Sequence, residues 1–313
     1  MSSLRFSAYA YARVAVMKSR LLRKENYDRM LKMGFNEILK YIEESEYKKE
    51  MDEFDVSSQD LSIIESALNA NLIRTIEKLH RISNENMREV LKLHALRYDI
   101  ANMKTIIRSK FAGVSNDEIK ELLYESINYS KEFFIMLSKK ERVIDIVNTF
   151  SSLRKMKLDL NSLFELESGL DRYYWERMCT FAESIKGSSV ADFISEELEM
   201  INIKTILRLE GEMSKEEIRG YLVKPSKKAL RLLSSDGKNK KEIIGTDDEE
   251  VELKKILLRR SSLLSHKNVL SASYILGYLI SKKSEIGNLK ALIKAKKFKM
   301  DPEVIEKMLV IAI

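Results

Sequence analysis

The chain has 313 residues, of which 33% are charged and 44% hydrophobic, and it contains only 10 Gly and 2 Pro. All-β sandwiches and α/β enzymes need many turn residues, so this scarcity argues against both classes. The chain is instead rich in Leu, Lys, Glu, Arg, Met and Ala, which lose little side-chain freedom in helices. We therefore predict an almost entirely α-helical protein, long enough for two or three units that each bury a core.

The net charge of +7 is concentrated towards the C-terminus. Residues 229–313 hold 17 Lys and Arg against 11 Asp and Glu, whereas the rest of the chain is close to neutral. Residues 282–299 alone contain seven Lys and one acid, Glu285. A solvated helix face is the favoured interpretation, and contact with an acidic partner or an anionic surface is the second. A basic helical scaffold or a nucleic-acid-binding adaptor stays open as an alternative, although no known nucleic-acid-reading motif occurs.

The first 22 residues carry Arg but no acid, a composition that superficially resembles an organellar transit peptide. We do not favour this interpretation, because residues 9–22 are also part of a resemblance to a known protein family, in which they belong to the first helix. No run of about 18 apolar residues occurs in the chain, so no membrane-spanning helix is predicted.

A pattern of twelve residues occurs three times, at residues 99–110, 199–210 and 285–296. Each copy has an acid three residues before an asparagine, a lysine two residues after it and a second cation six residues after it. The shared residues are Asp99, Asn102, Lys104 and Arg108, then Glu199, Asn202, Lys204 and Arg208, then Glu285, Asn288, Lys290 and Lys294. The apolar positions also coincide, with the spacing of a helix that turns one stripe towards a core.

The asparagine in each copy lies beside the apolar stripe. A buried amide must be hydrogen-bonded, and the backbone of a neighbouring helix is its expected partner. We therefore predict that Asn102, Asn202 and Asn288 set helix register, which is a structural role and not a ligand-binding one.

The segments that flank each copy repeat as well. A short capped helix follows each asparagine after 12 or 13 residues, and a Glu-x-x-Leu pair precedes the first two. The caps are Ser115 with Glu118, Ser214 with Glu217, and Asp301 with Pro302, and the upstream pairs are Glu65–Leu68 and Glu167–Leu170, with a weaker third copy at residues 248–260. We predict three related helical modules, at residues 1–125, 126–233 and 234–313.

Residues 234–252 contain Gly, Ser, Lys and acids with little periodicity. They are typical of an exposed, flexible connector between the second and third modules. A functional arm is the less favoured alternative.

Motifs that would indicate catalysis are missing. The chain has no G-x-x-x-x-G-K-[ST] or G-x-G-x-x-G phosphate loop, so no cofactor is predicted. His80, His94 and His266 lack metal-ligand spacing, and the single cysteine, Cys179, stands among aromatic and apolar residues where a buried thiol is expected. The acids are expected at helix caps and exposed positions. A degenerate helical enzyme remains only a weak hypothesis.

Three features together resemble the C subunits of archaeal-type (A-type, V/A-type) ATP synthases, a family related to the d subunits of vacuolar ATPases. They are "YAYARVAVMKSRLL" at residues 9–22, the three N-x-K-[TA]-[IL]-[IL]-[RK] helices and "ESGLDRYYWERM" at residues 167–178. The resemblance covers residues 9–309. The third copy departs from the others in having Ala291 and Lys294 in place of Thr and Arg.

The resemblance implies a funnel-shaped helical protein with a pseudo-threefold arrangement of its three modules. It also implies a non-catalytic rotor component of the central stalk, without cofactor or metal, that couples the membrane proteolipid ring to the central axle during ion-driven ATP synthesis. Its expected partners are the axle subunits and the ring, with no nucleic acid. It is expected as a monomer within a hetero-oligomer, peripheral to the cell membrane on the cytoplasmic side.

Overall fold

The computed structural model describes residues 7–54, 56, 59–156, 158–235, 249–267 and 271–311. Within these ranges the chain forms sixteen helices and no β-strand, apart from an isolated bridge between Glu210 and Met213, so the all-α prediction is confirmed. Most of the predicted connector, residues 236–248, lies outside the described residues.

The helices, numbered in chain order, include three pairs of long helices. The first eight are α1 (Ala8–Ser19), α2 (Lys24–Lys32), α3 (Phe35–Glu43), α4 (Lys48–Glu53), α5 (Leu61–Ile82), α6 (Glu85–Ala112), α7 (Asn116–Leu122) and α8 (Lys131–Ser138). The others are α9 (Val143–Asn148), α10 (Leu163–Ser184), α11 (Ser189–Leu209), α12 (Lys215–Tyr221), α13 (Lys227–Ser234), α14 (Glu249–Lys267), α15 (Ala272–Lys297) and α16 (Pro302–Met308).

The predicted caps begin the short helices. The Ser214 hydroxyl accepts from the Glu217 N–H at 3.3 Å and the Glu217 carboxylate accepts from the Ser214 N–H at 2.8 Å, which is a complete capping box. Ser115 accepts from the N–H of Glu118, but the return bond of the box is not formed. Asp301 caps α16, with proline at its first position, as predicted.

The long helices pack in a cycle. Helix α6 lies against α10, α11 lies against α14, and α15 lies against α5. In each contact the asparagine-bearing helix of one copy meets the first long helix of the next copy, and the third copy meets the first. Most of the buried apolar side chains form one continuous core, and a smaller core surrounds α12 and α13.

A further helix packs beside each short helix. Helix α8 lies against α6 and α7, α13 lies against α11 and α12, and α2 lies against α16. The Lys296 side chain also donates to the Leu31 carbonyl at 2.6 Å, which ties α2 to α15. The N-terminal helix α2 thus occupies, beside the last short helix, the place that α8 and α13 occupy beside the first two.

The N-terminal helices are also joined to α15 by a buried polar cluster. The Lys282 ammonium is fully buried and donates to Glu46, to the Tyr47 hydroxyl at 2.9 Å and to Glu285 at 3.0 Å. Glu285 also accepts from the Leu22 N–H and the Tyr47 hydroxyl. Each charge is therefore compensated, as burial of ionised groups requires.

Candidate partner-binding site

The three predicted asparagines each make the same pair of hydrogen bonds. The side-chain amide donates to a backbone carbonyl, and the side-chain oxygen accepts from the N–H of that same residue. The partner lies 21 or 22 positions later, two residues past the short helix. The pairs are Asn102 with Tyr124 (2.6 and 3.3 Å), Asn202 with Val223 (2.9 and 3.0 Å) and Asn288 with Val310 (2.9 and 2.8 Å).

All three asparagine side chains are buried. Their partners belong to the extended segment after the short helix, whereas the sequence predicts a neighbouring helix. The bonds satisfy one N–H and one C=O that have no partner within a helix or a sheet. Each asparagine therefore fixes the return of the chain after its short helix.

The acids three residues before the asparagines differ in burial. Asp99 is buried and accepts from Ser126 and from the Asn128 amide at 2.7 Å. Burial nevertheless raises the pKa of Asp99 to about 6. Glu285 is buried in the polar cluster described above, whereas Glu199 is half-buried and lies 3.7 Å from Lys228. The expectation that acids occupy only caps and exposed positions is wrong for Asp99, Glu285 and also Glu50 and Glu197.

The cations that follow the asparagines reach towards the next copy. Lys104 on α6 pairs with Asp171 on α10 at 2.6 Å, and Lys290 on α15 donates to Asn69 on α5 at 2.7 Å. Asp171 and Asn69 occupy the same place, directly after the leucine of the Glu-x-x-Leu pair. Arg108, the second cation of the first copy, also reaches the next copy. It binds the Glu167 carboxylate of α10 with two nitrogens. The second cation of the third copy, Lys294, is exposed.

A cavity of about 830 Å³ lies between α6, α10, α11, α14 and α15. Apolar and aromatic side chains such as Ile201, Trp175 and Leu253 form part of its wall. Among the described residues, its charged lining is Arg97, Arg172, Lys204, Arg208 and Lys283, with Asp171 as the one carboxylate. The cavity is therefore strongly electropositive, and walls of low polarity strengthen such a field.

The part of the cavity wall formed by α6, α10 and α11 holds a buried ion pair. Arg97 on α6 binds Glu197 on α11 at 2.7 Å, and its guanidinium lies over the rings of Tyr174 and Trp175 at 5.1 and 5.9 Å. The Glu197 partner holds Arg97 charged, and Arg97 in turn lowers the pKa of Glu197 against the effect of burial. One nitrogen of Arg97 and one oxygen of Glu197 are buried without a hydrogen-bond partner among the described atoms.

Lys283 on α15 enters the cavity from another side. Repulsion from Arg97, with a further contribution from desolvation, lowers the pKa of Lys283 to about 7. Its side chain is exposed within the cavity, and no described residue forms an ion pair or hydrogen bond with it.

Sequence patterns did not reveal these three charged residues as a group. Arg97, Glu197 and Lys283 each stand five residues before the asparagine of their copy, so they occupy equivalent positions. The aligned pattern begins only three residues before the asparagine, and the three residues differ in chemical type. An alignment of the three copies that begins two residues earlier places Arg97, Glu197 and Lys283 at one shared position.

The interpretation of the basic run at residues 282–299 as a solvated helix face holds only in part, since Lys283, Lys294, Lys297 and Lys299 are exposed but the other three lysines are not. Lys282 is fully buried and Lys290 partly so. Lys296 and Lys297 donate to the carbonyls of Leu31 and Gln59, each at 2.6 Å. Much of this basic run therefore serves contacts within the chain.

An apolar surface lies at the end of α15 and along α16. Phe298, Met300, Val304 and Met308 are all exposed, with Phe298 exposing 64% of its area. Val304 and Met308 are four residues apart and share one face of α16. Exposed apolar residues that lie together indicate a contact surface.

Features of a metal site are missing from the part of the chain that the structure describes. No group of three His, Cys, Asp or Glu residues could hold a metal ion there. Cys179 is buried, as predicted, and burial raises the pKa of its thiol.

Comparison with known proteins relates nearly the whole chain to one family. A profile described as ATP synthase (C/AC39) subunit matches residues 10–308. Proteins named as the C subunit of A-type ATP synthases are similar along nearly their full length. Each match covers 97% of this chain. The protein of Methanococcoides burtonii is 30% identical and 94% of its length is covered, and that of Archaeoglobus fulgidus is 30% identical and 96% of its length is covered. The protein of Methanosarcina acetivorans is 31% identical and 92% of its length is covered.

Proposed function

The chain belongs to the ATP synthase (C/AC39) subunit family, and on this premise we propose that it is a non-catalytic rotor component of the central stalk. It couples a membrane ring of proteolipid subunits to a central axle during ion-driven ATP synthesis. It acts as a monomer within the hetero-oligomeric complex, peripheral to the cell membrane on its cytoplasmic side.

The observation that carries this proposal is the cycle of helix contacts. The packing of α6 on α10, α11 on α14 and α15 on α5 supports three modules arranged about a pseudo-threefold axis. We assign the modules to residues 1–125, 126–233 and 234–313, with the N-terminal helices closing the cycle against α15 and α16. A closed cycle resists twisting, because each module is held on both sides by a close-packed interface.

The cavity supports an axle contact. It is lined by helices of all three modules, so a partner seated in it touches the three together. Torque applied by that partner would be shared among the modules. The cavity volume of about 830 Å³ is in the range of pockets that bind a drug-sized ligand, so it has room for a few side chains of an axle.

The apolar surface at the end of α15 and along α16 supports a contact with the membrane ring. Phe298 and Met308 are exposed there, and the exposed cation Lys294 lies four residues before Phe298. No helix among the described residues has the length and apolar character needed to cross a bilayer. A peripheral protein would reach the ring through such a surface.

Reconstitution tests the coupling role. An ATP synthase complex assembled in vesicles without this chain should hydrolyse ATP but make none from an ion gradient, and adding the chain back should restore synthesis. Synthesis at the full rate without the chain would contradict the proposal.

The non-catalytic assignment has its own test. The chain lacks a phosphate-binding loop, so calorimetric titration of the isolated chain with ATP should give no binding signal. Binding in the micromolar range would reopen the hypothesis of an enzyme.

A further inference from the structure

The charges of the cavity do not balance. Asp171, the one carboxylate among its described lining residues, is already paired with Lys104 at 2.6 Å, and Glu197, behind the lining residue Arg97, binds that arginine at 2.7 Å. Lys283 and Arg208 line the same cavity, are exposed within it, and form no ion pair with any described residue. When Lys283 is protonated, the cavity therefore presents at least two cations without a counterion.

The surroundings make this excess unfavourable in the empty cavity. The charged and titratable groups around Lys283 are Arg97 and His94 on α6, Glu197 and Lys204 on α11, and Lys254 on α14. Only one of them, Glu197, is an acid. Like charges held close together repel, and the repulsion is strengthened where protein walls exclude water. An incoming anion would relieve it.

We propose that Lys283 and Arg208 bind carboxylates of the protein partner that enters the cavity, so that the cavity recognises an acidic segment. The inference rests on the proposed function, because it takes the partner to be the central axle. The two cations come from α15 and α11, so an acidic segment bound to both would connect two of the three modules.

Protonation of Lys283 is coupled to this binding. The pKa of Lys283 is about 7 in the free chain, and a carboxylate beside it would raise that pKa. Above pH 7 the free lysine is largely neutral, so binding must take up a proton and weakens as the pH rises. Below pH 7 the lysine is already charged, so binding takes up no proton there and the affinity no longer changes with pH through this group.

Calorimetric titration of the full chain with the purified axle subunits of its own ATP synthase tests the proposal at pH 6 and pH 8.5. Lys283→Met should weaken binding about tenfold or more at pH 6, since it leaves a partner carboxylate without its counterion. Lys283→Arg should bind as the wild type does at pH 6 and keep that affinity at pH 8.5, where the wild type weakens. Arg208→Gln should weaken binding at both values.

Lys78→Met is the control, because Lys78 is exposed on the long helix α5 but does not line the cavity. It should bind as the wild type does, and thermal melts should show that every variant is folded. Wild-type affinity for Lys283→Met at pH 6 would overturn this inference alone. Failure of the wild-type chain to bind the axle at all would overturn the proposed function as well.

A titration with inorganic phosphate separates a partner carboxylate from a free anion. Phosphate should show no saturable binding to the chain. At equal ionic strength it should weaken axle binding no more than another salt does. If phosphate instead binds in a Lys283-dependent way and displaces the axle, the cations serve a free oxyanion and the inference is overturned.

Discussion

Arg97 and Glu197 stand five residues before Asn102 and Asn202, and their side chains form an ion pair at 2.7 Å. Equivalent positions of two long helices therefore meet, and they carry opposite charges. Lys283, which stands five residues before Asn288, lies close enough to Arg97 for the charge of that arginine to lower the pKa of the lysine. Where these three helices converge, one acid therefore stands against two cations, and the repulsion between Arg97 and Lys283 is only partly compensated by Glu197.

Replacing an asparagine anchor should destabilise the fold. Asn202→Leu would leave the N–H and C=O of Val223 buried without their partner, at a cost of about 1–3 kcal/mol. Denaturant unfolding measures the difference. Asn36→Leu is the control, because Asn36 is exposed on α3, and it should change stability little. An unchanged midpoint for Asn202→Leu would show that the bonds to Val223 do not hold the segment.

Acid should destabilise the protein through His94. Burial lowers the pKa of His94 to about 3, well below the ordinary 6.5, so the folded chain resists protonation that the unfolded chain accepts. The contribution of His94 to stability is therefore fully present above pH 6.5 and is lost as the pH drops from 6.5 towards 3. The loss is about 1.4 kcal/mol per pH unit at most. Asp99, whose pKa burial raises to about 6, acts in the opposite direction below pH 6, so the comparison with a His94 variant is needed to isolate this contribution.

His94→Phe removes the titrating group and should flatten the loss in thermal melts between pH 6.5 and pH 4. His80→Phe is the matched control, because His80 is only half-buried and should contribute much less. Equal acid sensitivity in His94→Phe and the wild type would place the destabilising protonation elsewhere.

Much of this fold could be predicted from sequence, for a physical reason. The asparagine columns, their apolar stripes and the caps are local patterns with helical spacing, and Ser214, Asp301 and Cys179 lie where the sequence predicts them. Local patterns could not predict which lysines are buried or which residues they bind. Lys282 is buried because Glu46 and Tyr47, more than 230 residues earlier, supply its partners, and no local pattern records such a contact.

Introducing a carboxylate at Asn69 should strengthen the contact between α15 and α5. Asn69 occupies the place that Asp171 occupies in the next copy, and it accepts from Lys290 at 2.7 Å. Burial lowers the pKa of Lys290, and a nearby carboxylate would raise it again. Asn69→Asp should stabilise the chain by about 0.5–1 kcal/mol at neutral pH and low salt.

Denaturant unfolding at low and high salt measures this gain, which should shrink as salt screens the pair. Asn36→Asp serves as the control for the added charge alone. If Asn69→Asp destabilises the chain, repulsion between the new carboxylate and Glu65 outweighs its attraction to Lys290. The contact of Lys290 with residue 69 would then differ in energy from that of Lys104 with Asp171.

The apolar surface on α16 should be needed for binding to the membrane ring. The triple variant Phe298→Ser, Val304→Ser and Met308→Ser removes exposed side chains, so its thermal melt should stay close to that of the wild type. Sedimentation with vesicles that contain the purified proteolipid ring should show loss of binding, because the apolar contact area is gone.

Tyr9→Ser with Leu263→Ser is the matched control, since both residues are exposed apolar side chains elsewhere on the chain. The charge contribution is tested by Lys294→Glu alone, because Lys290, Lys296 and Lys297 bond within the chain and their reversal would disturb the fold. Lys294→Glu should weaken binding only at low salt, as expected for an exposed cation. Full binding by the triple variant would show that the ring contacts another face, whereas loss in the control pair would show that any exposed apolar side chain is enough.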